Sequence, residues 1–370
     1  MESKIDILLN HPNPFHLEES VAEKMKFDAF KEAFTHHFNN CEEYRKYSEV
    51  NNVTPDDIKT INDLVKAQPI PSDAFRDVEK IISSVSQDKV VLIATTSSTT
   101  SKNPCKYPLD ALTLRRTTQT GTLFLKDVGF VEGSAFMLTP SPEESDTGLV
   151  RGMSHVLKEG LNFGDNIYYG VRGGKFETET LVSKIKECTK KPRHIYGPPF
   201  AYMNLVEYIE NNKIDLKLDS NSRLITTGGW KTVQRDVTKE QLIERVSKAF
   251  GVREDQIRDG YGLTDIYTML MECEYHRKHV PPWVHISTRN PQNINEEVAE
   301  GETGLLVLMS CSVNSYPAFV MTGDMGAVFK SNCKCGRKGQ IVEHRGRATK
   351  LGARGCAIRL EQFMEAITKK

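Results

Sequence analysis

Short apolar runs alternate with amphipathic helical patterns through most of this chain of 370 residues, and this alternation constrains its fold more than any other feature. The apolar run at 90–94 is short and rich in β-branched residues, as expected of a buried strand. Further strands are predicted at 135–138, 167–169, 223–227, 304–308 and 318–321, and helices at 149–157, 176–188, 200–211 and 239–250. Strands separated by helices predict an α/β fold with a largely parallel central sheet.

The ends of the chain differ in pattern from this central part. Residues 1–75 are predicted to be mainly helical, because apolar residues recur at helical spacing within 21–38 and Ser72 is a typical helix cap. Gly, Arg and Lys cluster near residue 345. We therefore expect one large domain at 1–345, beginning with the helical segment 1–75, followed by a short tail at 346–370.

Composition and charge exclude several classes of function. The 49 Lys and Arg residues equal the 49 Asp and Glu residues, which argues against nucleic acid or an anionic membrane surface as the main partner. No apolar run approaches the roughly 18 residues needed to span a bilayer. The N-terminal sequence lacks the pattern of a secretory signal, so the eight cysteines are expected to be reduced thiols in a cytoplasmic protein.

Two segments that follow predicted strands carry residues suited to a nucleotide. Ser97, Ser98 and Thr100 belong to a hydroxyl-rich loop, and hydroxyl and backbone N–H groups at a strand end can hold polyphosphate. The second segment is Gly228-Gly229-Trp230-Lys231, after the strand at 223–227. Taken alone, such a hydroxyl-rich segment is more often an ordinary loop, and such a Gly-Gly segment is more often a tight turn with a buried Trp.

Three further motifs lie closer to the C-terminus. The run 259–265 contains Tyr261-Gly262 and then Thr264-Asp265, whose carboxylate is a suitable ligand for a hard cation. Asp324 follows Thr-Gly, and a carboxylate there can accept hydrogen bonds from two vicinal hydroxyls. Arg347 offers a planar fork of donors to ribose or phosphate oxygens.

In this order and at this spacing, the motifs resemble those of the adenylate-forming ANL superfamily. The resemblance implies an ANL-type large N-terminal domain with mostly parallel sheets flanked by helices. It also implies an ATP site, in which the hydroxyl-rich loop would hold the polyphosphate and the adenine and acyl pocket would be lined by Gly228, Gly229, Trp230 and Lys231. Tyr261 would pack on adenine with Gly262 beside it. Thr264 would bind the α-phosphate, Asp265 would bind Mg²⁺, and Asp324 and Arg347 would bind the ribose.

The chain departs from the superfamily pattern at four positions. Thr99 and Lys102 stand where glycines are expected, although glycine permits positive φ and close backbone approach. Asp265 is one methylene shorter than the usual Glu, and Thr349 stands where the hinge aspartate is expected. We expect the lid domain that follows the hinge in the superfamily to be reduced here to a short tail.

Within the superfamily, the stretches 277–284, 225–231, 315–320 and 355–357 resemble LuxE-type acyl-protein synthetases. The resemblance implies that a fatty acid is activated with ATP and that its acyl group is transferred to Cys356, for delivery to an acyl-CoA-reductase-like (LuxC-type) partner. Arg354 and Arg359 flank Cys356 and are expected to favour its thiolate. The alternative is that Cys356 is a small buried apolar residue.

The remaining cysteines include a candidate metal site. Cys333 and Cys335 form a Cys-x-Cys knuckle, and Cys273 with His276 forms a Cys-x-x-His pair, which together predict a closed tetrahedral Zn²⁺ site of structural type. His279 is an alternative ligand. Cys41, Cys105, Cys188 and Cys311 have no partner at ligand spacing and are interpreted as packing residues.

Two other functions stay open at this point. The Cys-x-Cys-Gly-Arg run also occurs in phenylacetate–CoA ligase relatives, so an acyl- or aryl-CoA ligase is an alternative. The substituted phosphate loop and hinge are also compatible with a degenerate nucleotide-binding scaffold.

Overall fold

The computed structural model describes residues 2–76, 81–96, 103–228, 237–348 and 350–368, with only the backbone described for 350–355. The helices in these ranges are α1 (Lys4–Leu9), α2 (Glu19–Asn40), α3 (Glu42–Val50), α4 (Ala111–Asp127), α5 (Gly148–His155), α6 (Thr178–Glu187), α7 (Pro199–Asn211), α8 (Lys239–Phe250) and α9 (Lys350–Thr368). The strands are β1 (Ile70–Pro71), β2 (Val90–Thr95), β3 (Lys106–Asp110), β4 (Ser134–Pro140), β5 (Ile167–Arg172), β6 (Lys175–Phe176), β7 (Arg193–Gly197), β8 (Leu224–Thr227), β9 (Ile257–Leu263), β10 (Thr268–Glu272), β11 (Lys278–His279), β12 (Val284–Asn290), β13 (Asn293–Glu297), β14 (Gly304–Ser310), β15 (Phe319–Lys330) and β16 (Gln340–Arg347).

The chain forms two compact units. The first unit contains Met1–Thr120, Leu263–Thr268 and His279–Lys370, and the second contains Gly121–Gly262 and Met269–Lys278. Among the described residues, no helix is both long and apolar enough to cross a membrane.

Antiparallel pairing dominates the first unit. Its strands follow the order β13-β12-β14-β15-β16-β11, with β1 parallel to β15 and with β2 and β3 paired as a separate antiparallel hairpin. Every residue of β14 is buried. Short connections such as the one from β15 to β16 leave no room for a crossover, so neighbouring strands run antiparallel.

Helices cover the first unit because each has an apolar face. The side chains that α2 buries recur at helical spacing, and the Phe34 ring stacks on Phe319 at 6.3 Å between centroids. Helix α9 packs against α3, β1 and β15, and its buried Phe363 meets Tyr47 with 5.1 Å between ring centroids. The C-terminal helix is therefore part of the core of this unit.

The second unit is built mainly from parallel strands. The order is β10-β9-β8-β7-β4-β5-β6, and the pairs β9/β8, β8/β7, β7/β4 and β4/β5 are parallel. Helices α5, α7 and α8 supply the crossovers that parallel neighbours need. Helix α8 begins with a capping box between Thr238 and Gln241 and ends at Gly251, whose φ of +62° suits a left-handed cap.

The α/β prediction is confirmed, and each predicted strand and helix corresponds to an observed element. The predicted largely parallel sheet describes the second unit, whereas the first unit is largely antiparallel. Residues 346–368 lie in the same unit as 279–345, although the sequence suggested a boundary at 345. A hinge at that position stays a prediction.

Candidate active site

A 3₁₀ turn at Thr264–Ile266 carries the predicted cation ligand in the first unit. Asp265 is only 9% exposed, and its Oδ1 accepts a hydrogen bond of 2.7 Å from the hydroxyl of Tyr107. The Tyr316 hydroxyl donates to the Thr264 carbonyl at 3.4 Å. The turn packs against β14 and β15, so it lies beside the strand that carries Asp324.

The predicted ribose ligands come together on adjacent strands. Asp324 on β15 is opposite Arg347 on β16 in the register of the pair. Arg347 Nε lies 3.2 Å from Asp324 Oδ1, and His344 Nε2 lies 3.4 Å from the same oxygen. The Asp324 side chain is 3% exposed, whereas that of Arg347 is 81% exposed. On the neighbouring strands β15 and β16, a buried carboxylate is thus paired with an exposed guanidinium.

Cys356 lies on α9 close to the same strand. Its Sγ is 3.6 Å from the carbonyl oxygen of Thr322, two residues before Asp324. Burial, followed by the negative charges of Asp73 and Asp324, raises the pKa of the Cys356 thiol to about 11. The thiol is therefore next to the predicted ribose carboxylate and is neutral in this arrangement.

The expectation that flanking arginines activate this thiol needs correction. Arg359 is 1% exposed, and its guanidinium donates to Gln68 Oε1 at 3.0 Å and to Asn295 Oδ1 at 2.6 Å. These amides hold the guanidinium, and Arg359 is not among the groups that shift the pKa of the Cys356 thiol. The side chain of Arg354 lies outside the described residues.

In the second unit, Tyr261 and Gly262 lie on β9 above a cluster of charged residues. Lys278 Nζ lies 2.6 Å from Asp259 Oδ2 and 5.9 Å from the Tyr261 ring centroid. Thr226 Oγ1 donates to Asp259 Oδ1 at 2.9 Å. This arrangement fixes the end of β9 on which the predicted adenine contact stands.

At two predicted site positions of the second unit, the local geometry disfavours a residue larger than glycine. A Cβ at Gly262 would stand 3.0 Å from Leu149 Cδ1, so a larger residue would press on α5. Gly228 has a φ of +75°, which favours glycine after β8. The other predicted nucleotide residues, Ser97, Ser98, Thr100, Gly229, Trp230 and Lys231, lie outside the described residues, as do Thr99, Lys102 and Thr349.

The structure brings together a different set of candidate metal ligands from the set expected first, and the metal itself stays a prediction. In the first unit, His279 Nε2 is 3.2 Å from Cys335 Sγ, and their ligand atoms lie within 4.8 Å of that of Cys333. The predicted histidine was His276, but its Nδ1 lies 3.4 Å from Glu272 Oε2 in the second unit. His276 has a φ of +53° at the hairpin turn, and its ring nitrogen is next to the Glu272 carboxylate instead.

The knuckle between the two cysteines has the backbone geometry of a ligand turn. Gly336 has a φ of +81°, and its N–H donates to the Cys333 carbonyl at 3.1 Å. Two thiols and one imidazole are donors that suit Zn²⁺. Cys273 lies in the hairpin six residues before His279.

The other four cysteines behave as packing residues. None of the eight cysteines, all of which lie in the described part of the chain, forms a disulfide. Burial raises the pKa of both Cys41 and Cys311 to about 12, so neither is a nucleophile at neutral pH. Cys105 is buried, and the half-buried Cys188 donates to Ser134 Oγ at 3.1 Å.

Comparison with known families decides the identity of this fold and site. The family described as acyl-protein synthetase, LuxE, matches residues 1–365. The chain belongs to this family. As a LuxE-family protein it is a ligase, which excludes the scaffold alternative.

Two curated relatives match the LuxE-family chain over nearly its whole length. The long-chain-fatty-acid–luciferin-component ligase of Aliivibrio fischeri is 28% identical, over 98% of this chain and 95% of the relative. The ligase of the same name from Vibrio harveyi is 23% identical, over 97% of this chain and 93% of the relative.

Solved structures share the fold. An open conformation of 2-hydroxyisobutyryl-CoA ligase superposes with a TM-score of 0.73 at 15% identity, over 91% of this chain and 77% of that one. The same ligase in its postadenylation state superposes with a TM-score of 0.72 at 16% identity, over 91% of this chain and 70% of that one. The adenylate-forming fold inferred from the sequence is thereby confirmed.

Sequence reasoning missed three residues that lie next to the predicted ones. Tyr107, His344 and Lys278 contact Asp265, Asp324 and Tyr261 respectively, yet none of them was assigned a role from the sequence. His344 stands three residues before Arg347, and Lys278 lies within the stretch 277–284, so only their proximity to known motifs could have indicated them. Nothing in the sequence around Tyr107 indicates its role.

Proposed function

We propose that this protein uses ATP to activate a fatty acid and then binds the acyl group to its own Cys356. The fatty carboxylate attacks the α-phosphorus of ATP, giving acyl-AMP and releasing pyrophosphate. The Cys356 sulfur then attacks the acyl carbonyl, the thiol proton is lost, and AMP leaves as the thioester forms. The position of the Cys356 sulfur beside the strand of Asp324 is the observation that carries this proposal.

The nucleotide is assigned to the residues that resemble the superfamily motifs. Asp324 and Arg347 take the ribose hydroxyls, supported by their pairing across β15 and β16. Thr264 takes the α-phosphate and Tyr261 packs on adenine. Ser97, Ser98 and Thr100 bind the polyphosphate. The adenine and acyl pocket is lined by Gly228, Gly229, Trp230 and Lys231.

Magnesium is assigned to Asp265. Its carboxylate fits a hard cation because it offers an oxygen donor that the turn and the Tyr107 hydroxyl hold in place. When bound, the ion would neutralise charge on the phosphates. The protein's own part is to hold the carboxylate in place.

Zinc is assigned to Cys333, Cys335 and His279, with Cys273 as the fourth ligand that the sequence spacing supplies. Four protein ligands leave no position for water, so this site is structural. It would stabilise the fold and take no part in the chemistry.

The thioester on Cys356 is a carrier form, so a second protein must accept the acyl group. We assign this role to an acyl-CoA-reductase-like partner of the LuxC type, acting in the cytoplasm. The fatty-acid substrate follows from the two curated relatives, whose names specify long-chain fatty acids.

Intact-protein mass spectrometry after incubation with ATP, Mg²⁺ and a panel of fatty acids tests this function. We expect a gain of one acyl group that hydroxylamine removes, that Cys356→Ser abolishes, and that Cys188→Ser keeps. Cys188 is a matched control because it is also a half-buried thiol. Pyrophosphate release should persist in Cys356→Ser.

An acyl-CoA ligase is the second candidate, favoured by the likeness to 2-hydroxyisobutyryl-CoA ligase and by the high pKa of the Cys356 thiol. Adding coenzyme A to the same assay separates the two. Acyl-CoA formed equally by the wild type and by Cys356→Ser, with no acylated protein, would replace our proposal with this one.

A further inference from the structure

Two buried tyrosines from distant parts of the first unit hold the turn Thr264–Ile266. Tyr107, on β3, donates to Asp265 Oδ1 at 2.7 Å across 158 residues of sequence. Tyr316 donates to the Thr264 carbonyl at 3.4 Å, and the two tyrosine rings are 5.2 Å apart. Each residue of the turn that resembles a catalytic motif is thus fixed by one phenol.

The Tyr107 side chain has almost no freedom of its own. It is 0% exposed, and its ring lies 4.7 Å from that of Phe75. The 2.7 Å distance from its hydroxyl to Asp265 Oδ1 is that of a short hydrogen bond in which the phenol donates.

The backbone after the turn is also constrained. Tyr267 has a φ of +45°, a left-handed conformation that non-glycine residues rarely adopt, and its N–H donates to the Thr264 carbonyl at 3.1 Å. Such conformations persist where the surroundings over-determine them, and they are concentrated at functional sites. The turn is therefore built as a fixed support for Asp265.

We propose that Tyr107 is a positioning residue for the cation site: it binds Asp265 Oδ1 and so aims Oδ2 at the magnesium ion that accompanies ATP. The inference rests on the proposed function, in which Asp265 is the Mg²⁺ ligand. An Asp has one methylene fewer than the Glu of the related motif, so its carboxylate reaches less far. The hydrogen bond from the phenol to Oδ1 stops the Asp265 carboxylate from rotating. Without that bond, Oδ2 would occupy several positions.

Calorimetric binding of MgATP, compared with binding of ATP in EDTA, tests the role of Tyr107 directly. Tyr107→Phe keeps the packed ring and removes only the hydroxyl. We expect MgATP to bind about tenfold more weakly, as is typical for loss of one hydrogen bond to a charged group, with metal-free ATP unchanged. In pyrophosphate exchange, the Mg²⁺ concentration for half-maximal rate should rise about tenfold, and the KM for the fatty acid should not change.

Two further variants separate positioning from stability. Tyr202→Phe is the matched control, because Tyr202 is fully buried in the second unit and donates to the carbonyls of Ile195 and Ile225 at 2.8 and 3.2 Å. It should lower the melting temperature without changing the Mg²⁺ dependence. In an Asp265→Asn background, Tyr107→Phe should produce no further loss of MgATP affinity.

The results that would overturn the inference are distinct from those that would overturn the function. Equal weakening of MgATP and metal-free ATP in Tyr107→Phe, or wild-type Mg²⁺ dependence, would reduce Tyr107 to a core residue while the ligase function stands. Absence of pyrophosphate exchange in the wild-type protein with every fatty acid tested would overturn both.

Discussion

At the level of single residues, the acidic surroundings of Cys356 determine how the proposed acyl transfer should depend on pH. A thiol with a pKa of about 11 is almost entirely protonated at neutral pH, and only its thiolate is a nucleophile. Because the raised pKa lies above the assay range, the thiolate fraction grows about tenfold with each pH unit from 7 to 9. Single-turnover formation of acyl-protein from preformed acyl-AMP should rise accordingly, while pyrophosphate exchange changes much less.

A flat pH profile for acyl transfer would contradict this expectation. It would mean that the reacting thiol is not in the environment seen here, since Asp73 and Asp324 both oppose its ionisation. Cys188→Ser is the control for nonspecific acylation of other thiols at high pH. Its rate of acyl-protein formation should equal that of the wild type at each pH.

Residues that belong to a sequence motif were easier to predict than the side chains that contact them in the folded protein. The pairing of Asp324 with Arg347 was foreseeable because both belong to short motifs, and their strands then place them opposite each other. Arg359 was misjudged because the sequence does not show that Gln68 and Asn295 accept hydrogen bonds from its guanidinium. Tyr107 could not be foreseen, since a hydrogen bond across 158 residues leaves no local pattern.

At the level of secondary structure elements, α9 is anchored to the first unit by one buried cation. Arg359 donates to Gln68 and Asn295 and lies 5.9 Å from the Tyr47 ring centroid. We expect Arg359→Ala to lower the free energy of unfolding by about 2–4 kcal/mol, because it removes charged hydrogen bonds and leaves two amides without their partner. Urea unfolding followed by circular dichroism measures this loss.

The exposed Glu361 on the same helix supplies the control for that prediction. Glu361→Ala should change stability by no more than about 0.5 kcal/mol. In Arg359→Ala, acylation of Cys356 should fall more than pyrophosphate exchange, since the thiol depends on where α9 lies. Equal stability of the two variants would mean that α9 is held by its apolar contacts alone.

Patterns within elements account for what the sequence predicted well. The strand at 90–94 was located as a short apolar run and the helix at 239–250 by its helical pattern, because both are local signals. The direction in which strands pair is not local, so the antiparallel order of β12 to β16 escaped prediction. Their short connections become visible only once each strand has been recognised.

At the scale of the whole molecule, the cysteine cluster ties together segments that are far apart in sequence. His279 and Cys335 are separated by 56 residues, so a shared ion would close a long loop and restrict the unfolded chain. We expect the purified protein to contain one Zn²⁺ per chain by elemental mass spectrometry. Cys335→Ser and His279→Ala should lose the metal and melt at a lower temperature.

The choice between the two histidines makes this prediction sharp. His276→Ala should retain zinc and nearly wild-type melting, because His276 lies against Glu272 rather than beside Cys335. Cys188→Ser should also retain zinc. The Cys-x-x-His spacing in the sequence favours His276 as the ligand, whereas the folded structure favours His279. Loss of zinc from His276→Ala would therefore show that His276, as the spacing predicts, binds the metal. Retention of zinc there, with its loss from His279→Ala, would show that the fold selects the ligand.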